Sequence, residues 1–213
     1  MSPVSTRRRR VPTSVRPPFL VGALAWKALL AVLRIPRGTV AGVQVRFMGV
    51  SEGLDEICVK LSEALEILRR TDRRRYKAVR HYTRHLVVWP ADRSAVKPRS
   101  GVVLLSTRAL VGGPAVLAAA ALVHETTHLR IAHMGVKWRP ALAERIERRC
   151  VREESAFLRL CNEDVLAASA EGSLSERWWT EEAMAAFRER TLDQVQASRW
   201  MRRLRSILSR WFE

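Results

Sequence analysis

Residues 115–123 read AVLAAAALV, and HETTH follows at 124–128 without a polar break. This stretch restricts the fold more than any other. An alanine- and leucine-rich run is a strong helix former. Being apolar on every side, it belongs inside a domain rather than on its surface. Two histidines and a glutamate therefore sit on a buried helix, where each needs a partner because an unpaired buried charge is costly. At about 100° per residue, His124 and His128 lie one turn apart on one face. Neutral imidazoles so placed can grip one ion, and zinc suits nitrogen donors. Glu125, next to the first histidine, can take a proton from a zinc-bound water, which is what metal-assisted hydrolysis requires. The bland alternative is a pair of core histidines satisfied by hydrogen bonds.

A catalytic zinc needs a third protein ligand. His133 lies about 140° around the helix from His128 and about 180° from His124, so it is expected at a surface or helix end. Gly135 and Pro140 bracket a turn, after which AERIERRCVREESAF (143–157) reads as a helix able to fold back on the first. It carries Glu147 and, seven residues on along the same face, Glu154. Either can be the third ligand, with the other behind it as a supporting partner.

HExxH followed at this distance by a glutamate, here His124, Glu125, His128 and Glu147, resembles the gluzincin branch of the zincin metallopeptidases. The resemblance covers roughly residues 75–160. It implies a zincin-like domain with a small sheet and an active-site helix. It also implies Zn2+ held by His124, His128 and Glu147, Glu125 as general base, and a peptide or protein substrate. Arg130 departs from that branch, where the position is usually apolar. No clear counterpart of the branch's oxyanion-stabilising tyrosine, histidine or arginine is found.

The rest of the chain fits an α+β domain that is mostly helical. Apolar residues at helical spacing from Leu54 to Leu68 predict a helix. TDRRRYKAVRHYTRH predicts a second, basic one, capped by Thr71 or Asp72 and carrying His81, Tyr82 and His85. HLVVW (85–89) and GVVLLS (101–106) read as strands, with 91–99 as a loop between them. Gly112-Gly113-Pro114 sets proline at the first turn of the histidine helix. The helix opened by Pro140 is expected to reach about Gly172. From Ser175 the pattern is again helical, with Trp200, Met201, Leu204, Leu208 and Trp211 on one face. Three segments follow: a basic arm with a short apolar helix (1–36), the metallopeptidase-like domain (37–172) and an arginine-rich amphipathic helix (173–213).

Lys and Arg outnumber Asp and Glu by 38 to 21, a formal charge of +17. That excess suits a nucleic acid or an anionic membrane surface, and an arginine-biased genome would produce it equally well. A second functional class therefore stands beside the hydrolase: a basic nucleic-acid- or membrane-binding protein whose zincin-like core is structural or degenerate. The cleanest apolar stretch of the N-terminal segment, 19–33, would span about 22 Å as a helix, short of a bilayer's hydrocarbon core. It reads as an interfacial or packed helix before a membrane anchor or a cleaved signal. Cys58, Cys150 and Cys161 form no CxxC pair and fit free thiols of a reducing compartment. A cytoplasmic location, with membrane association through 19–35, follows. Cys150 and Cys161 share a helical face, which suggests buried packing.

Overall fold

The computed structural model describes residues 37–48, 53–111 and 113–196. The arm at 1–18, the apolar segment at 19–35 and the apolar face from Trp200 onward lie outside these residues. The chain is α+β. Strands β1 (Arg37–Val40) and β2 (Val43–Phe47) lead to helices α1 (Leu54–Thr71) and α2 (Arg73–Tyr82). Strands β3 (His85–Trp89), β4 (Ala95–Lys97) and β5 (Val102–Ser106) come next. Helices α3 (Thr107–Val111), α4 (Ala115–His133), α5 (Pro140–Leu160), α6 (Asp164–Gly172) and α7 (Glu181–Gln196) complete the described part, with 3-10 turns at Pro98–Ser100 and Ser173–Glu176.

The five strands form one mixed sheet in the order β1-β2-β3-β5-β4. β2, β3 and β5 run parallel, while β1 and β4 close the two edges antiparallel. Register stacks Val45, Leu86 and Val103 across the sheet, and likewise Phe47, Val88 and Leu105. These residues meet Leu61, Leu65 and Leu68 of α1 and Ala118, Ala119 and Leu122 of α4 in a single core. The alternate positions Val87, Val102 and Leu104 are buried too. Apolar residues on both faces are what parallel strands covered on both sides require. Trp89, on that second face, meets Phe187 of α7 edge-on with ring centroids 6.4 Å apart.

α4 is the central element. It packs against α1, α2 and α5 as well as the sheet, and Ala118, Ala119 and Ala120 are fully buried. Side chains this small let neighbouring elements approach closely. The helix ends in a Schellman arrangement: Gly135 N–H donates to the Ala132 carbonyl and Val136 N–H to the Ile131 carbonyl. Gly135 has φ of 87°, a conformation that glycine adopts without the Cβ penalty. The reversal is completed by Pro140 in the first turn of α5. α5 lies back along α4, presenting the stripe Ala143, Ile146, Glu147, Cys150, Val151, Phe157 and Leu158.

Several elements differ from the sequence expectation. Residues 91–99 are not all loop, because Ala95–Lys97 pairs with β5 as an edge strand. The basic helix stops at Tyr82, where the Thr83 N–H closes on Val79, so His85 begins β3 instead of lying on the helix. The helix opened by Pro140 does not continue to Gly172. It ends at Leu160, and Asn162 takes a left-handed φ of 61° between α5 and α6. Pro114 is the cap of α4, one residue before its first turn. Asp72, of the two candidate caps, receives the Arg75 N–H at 2.9 Å. Among the described residues no helix is long and apolar enough to cross a membrane.

Candidate metal centre

α4 and α5 bring the polar side chains of His124, His128, Glu147 and Glu154 together where they pack. His124 and His128, one turn apart on α4, point their Nε2 atoms at the same spot, 3.2 Å from each other. Glu147 of α5 faces both: its Oε2 is 3.4 Å from His124 Nε2, and its Oε1 is 3.4 Å from His128 Nε2. Donors bound at about 2.0–2.1 Å with tetrahedral angles stand about 3.3–3.4 Å apart. The three separations, 3.2, 3.4 and 3.4 Å, are close to that length, with the two carboxylate oxygens each facing one nitrogen.

The polar bookkeeping of Glu147 also fits a cation. It is 7% exposed, and its Oε2 is buried with no hydrogen-bond partner. Buried carboxylate oxygens are rarely left so. A neutral Nε2 leaves this atom without a donor, and either a proton on His124 Nε2, 3.4 Å away, or an ion between the three side chains satisfies it. The residues present therefore fit a zinc ion in number, donor type and spacing.

Glu154 is engaged elsewhere. Nδ1–H of His124 donates to its Oε2 at 2.8 Å, on the far side of the ring from Glu147. That bond holds the Nδ1 proton and turns Nε2 toward His128 and Glu147. Burial alone would lower the pKa of His124, but Glu147 and Glu154 outweigh it and hold it well above the usual imidazole value. Burial likewise opposes ionisation of Glu147, and the two imidazoles overcome it, drawing its pKa down to about 2. The cluster thus keeps the Glu147 carboxylate charged.

Glu125 is 6% exposed. Burial raises its pKa, His124 and His128 oppose the rise, and Glu147 and Glu154 add to it. A carboxylate tuned upward in this way is a better proton acceptor than a surface glutamate.

A second donor set shares the histidines. Cys150, fully buried one turn beyond Glu147, has its Sγ and one ring nitrogen of each histidine within 4.8 Å of one another. Burial, followed by the charges of Glu147, Glu125 and Glu154, pushes its thiol far above the usual range. Among the described residues His124, His128 and Cys150 form the group of donors that could hold an ion, while Glu147 approaches each nitrogen at 3.4 Å with a different oxygen. Cys150, expected from the sequence as buried packing, stands between Glu147 and Glu154 along this helix, and that position is its only sequence signal of a polar neighbourhood.

The remaining candidates are placed apart. His133 packs with Tyr82 and His81, at ring centroid distances of 5.4 and 6.4 Å. Arg130, the unexpected charge beside the motif, donates to Glu153 Oε1 at 3.2 Å. Glu153 also receives Arg75 at 2.9 Å and Arg149 at 2.8 Å, which ties α2, α4 and α5 together. Comparison of the chain with protein-family models, with curated proteins and with solved structures finds no match.

Proposed function

We propose that this chain is a zinc-dependent hydrolase, a metallopeptidase with a zincin-like domain of the gluzincin kind. The observation that carries the reading is the triangle of His124 Nε2, His128 Nε2 and the Glu147 carboxylate, closed by an oxygen that has no other partner. His124, His128 and Glu147 hold the metal in this reading, and Glu154 orients His124 through Nδ1. A bound zinc ion supplies Lewis acidity toward a carbonyl and toward water. Glu125 accepts the proton of the attacking water at its carboxylate and returns it to the departing amine. Three protein ligands leave one tetrahedral position for substrate chemistry. The substrate class is a peptide or protein, and the location is cytoplasmic.

A second reading draws on α2, whose Arg73, Arg74, Lys77 and Arg80 are exposed along a single helix. In it the chain is a basic protein that binds nucleic acid or an anionic membrane, and its metal-like core is structural. Metal analysis of the purified protein beside a casein-hydrolysis assay separates the two. One equivalent of zinc, with activity lost on chelation and regained on adding zinc, supports the hydrolase. Zinc-free protein whose DNA affinity falls steeply with salt supports the second reading.

A further inference from the structure

Cys58 and Cys161 are partly buried against the main apolar cluster, while Cys150, the most buried of the three thiols, is a core residue outside that cluster. Its neighbours of consequence are the two histidines, with Sγ and a ring nitrogen from each inside a 4.8 Å span. It stands on the buried stripe of α5, one turn beyond Glu147. A buried thiol placed beside two imidazoles, when the same helix already offers them a carboxylate, has more donors around it than an open three-ligand centre needs.

We propose that Cys150 is a fourth protein ligand, so that the centre has a closed resting form made by His124, His128, Glu147 and Cys150. The proposal rests on the reading of this cluster as a metal site and adds how that site is regulated. On closure a metal–sulfur bond would form, the metal–water and S–H bonds would break, and the water and the proton would leave to solvent. No electrons are transferred. Tetrahedral geometry with bonds of about 2.3 Å to sulfur and about 2.0–2.1 Å to nitrogen sets these donors roughly 3.5 Å apart. From within 4.8 Å of the two histidine nitrogens, Sγ reaches that distance to them by moving roughly an ångström, within the scope of a side-chain adjustment.

Two consequences follow. Sulfur and water compete for one position, so the closed form is latent and the open form reacts. A thiolate in the donor set also favours zinc, cobalt or cadmium over magnesium or manganese, which prefer oxygen.

Cobalt(II) added to the metal-free full-length chain tests this, because it reports its ligands optically. The expected result is the visible bands of a four-coordinate ion together with a near-ultraviolet thiolate-to-cobalt charge-transfer band. Both persist in the double variant Cys58→Ala/Cys161→Ala, which assigns the band to Cys150 without disturbing the interface. Cys150→Ala keeps the visible bands, loses the charge-transfer band and binds cobalt about tenfold or more weakly. Should Cys150→Ala fail to fold, the double variant still decides. A cobalt-loaded wild type without the charge-transfer band overturns the closed form and leaves the His124, His128 and Glu147 centre standing. The same holds for a band that survives in Cys150→Ala or disappears in the double variant. No uptake of cobalt overturns both this proposal and the metal reading beneath it.

Discussion

Glu154 and Glu147 approach His124 from opposite sides of its ring, Glu154 Oε2 2.8 Å from Nδ1 and Glu147 Oε2 3.4 Å from Nε2. The imidazole is held between two carboxylates, one at each ring nitrogen, and against the effect of burial both raise its pKa. This division of labour separates two glutamates that the helical period places on the same face.

Glu154→Gln should leave the fold intact and weaken zinc binding about ten- to a hundredfold, because the Nδ1 partner that fixes the tautomer is lost as a charge. Glu147→Gln should weaken it more. Competition titration with a chelating dye measures both. Equal losses in the two variants would remove the assignment of Glu154 as the supporting partner.

His124→Ala and His128→Ala should each abolish stoichiometric zinc binding. A metal that binds only the folded chain adds about 2.7 kcal/mol of stability when present at a hundred times its Kd. Chelation should therefore lower the Tm of the wild type and leave that of either variant unmoved. A variant that retains one zinc per chain by mass spectrometry would sink the site.

Glu125→Gln keeps the volume of the side chain and cannot accept the proton. Zinc content should remain near wild type, while hydrolysis of a casein probe falls by at least ~10²-fold, the lower end of a positioned acid–base contribution. Unchanged turnover in this variant would point to another base.

Asp72 caps α2 through the Arg75 N–H. Burial raises its pKa, but the Arg75 N–H and guanidinium outweigh it and set it below the usual carboxylate value. A lowered folded pKa stabilises the protein above the unfolded value of about 3.9, and that contribution fades as pH falls through the folded one. Asp72→Ala should cost about 1 kcal/mol near neutral pH. Asp72→Asn keeps a capping side chain, so its deficit should be present at about pH 6 and shrink below about pH 4. Urea midpoints across that range measure it, and a deficit that grows toward acid contradicts the sign.

Much of this was written in local sequence. The run 115–123 fixes a buried helix, the four-residue spacing puts His124 and His128 on one face, and Gly135 with Pro140 turns the chain back. The β-branched runs of β3 and β5 announce central strands because both of their faces are buried. These signals are periodic, and periodicity is a local property.

Other features depended on how elements meet. Glu147 and Glu154 are seven residues apart, two turns of one face, so helical period cannot rank them. The slide of α5 along α4 decides which carboxylate meets the two Nε2 atoms and which reaches Nδ1. The same slide sets Cys150 beside the histidines, which its apolar character in sequence does not reveal. β1 (RGTV), β2 (VQVRF) and β4 (AVK) lack the unbroken apolar runs of β3 and β5, so backbone pairing to a neighbour decides them, and the edge strand β4 is held by β5 alone. Sequence thus determined which residues lie on which face. The packing of one helix against another decided which of them touch, because that depends on long-range contacts that no local pattern records.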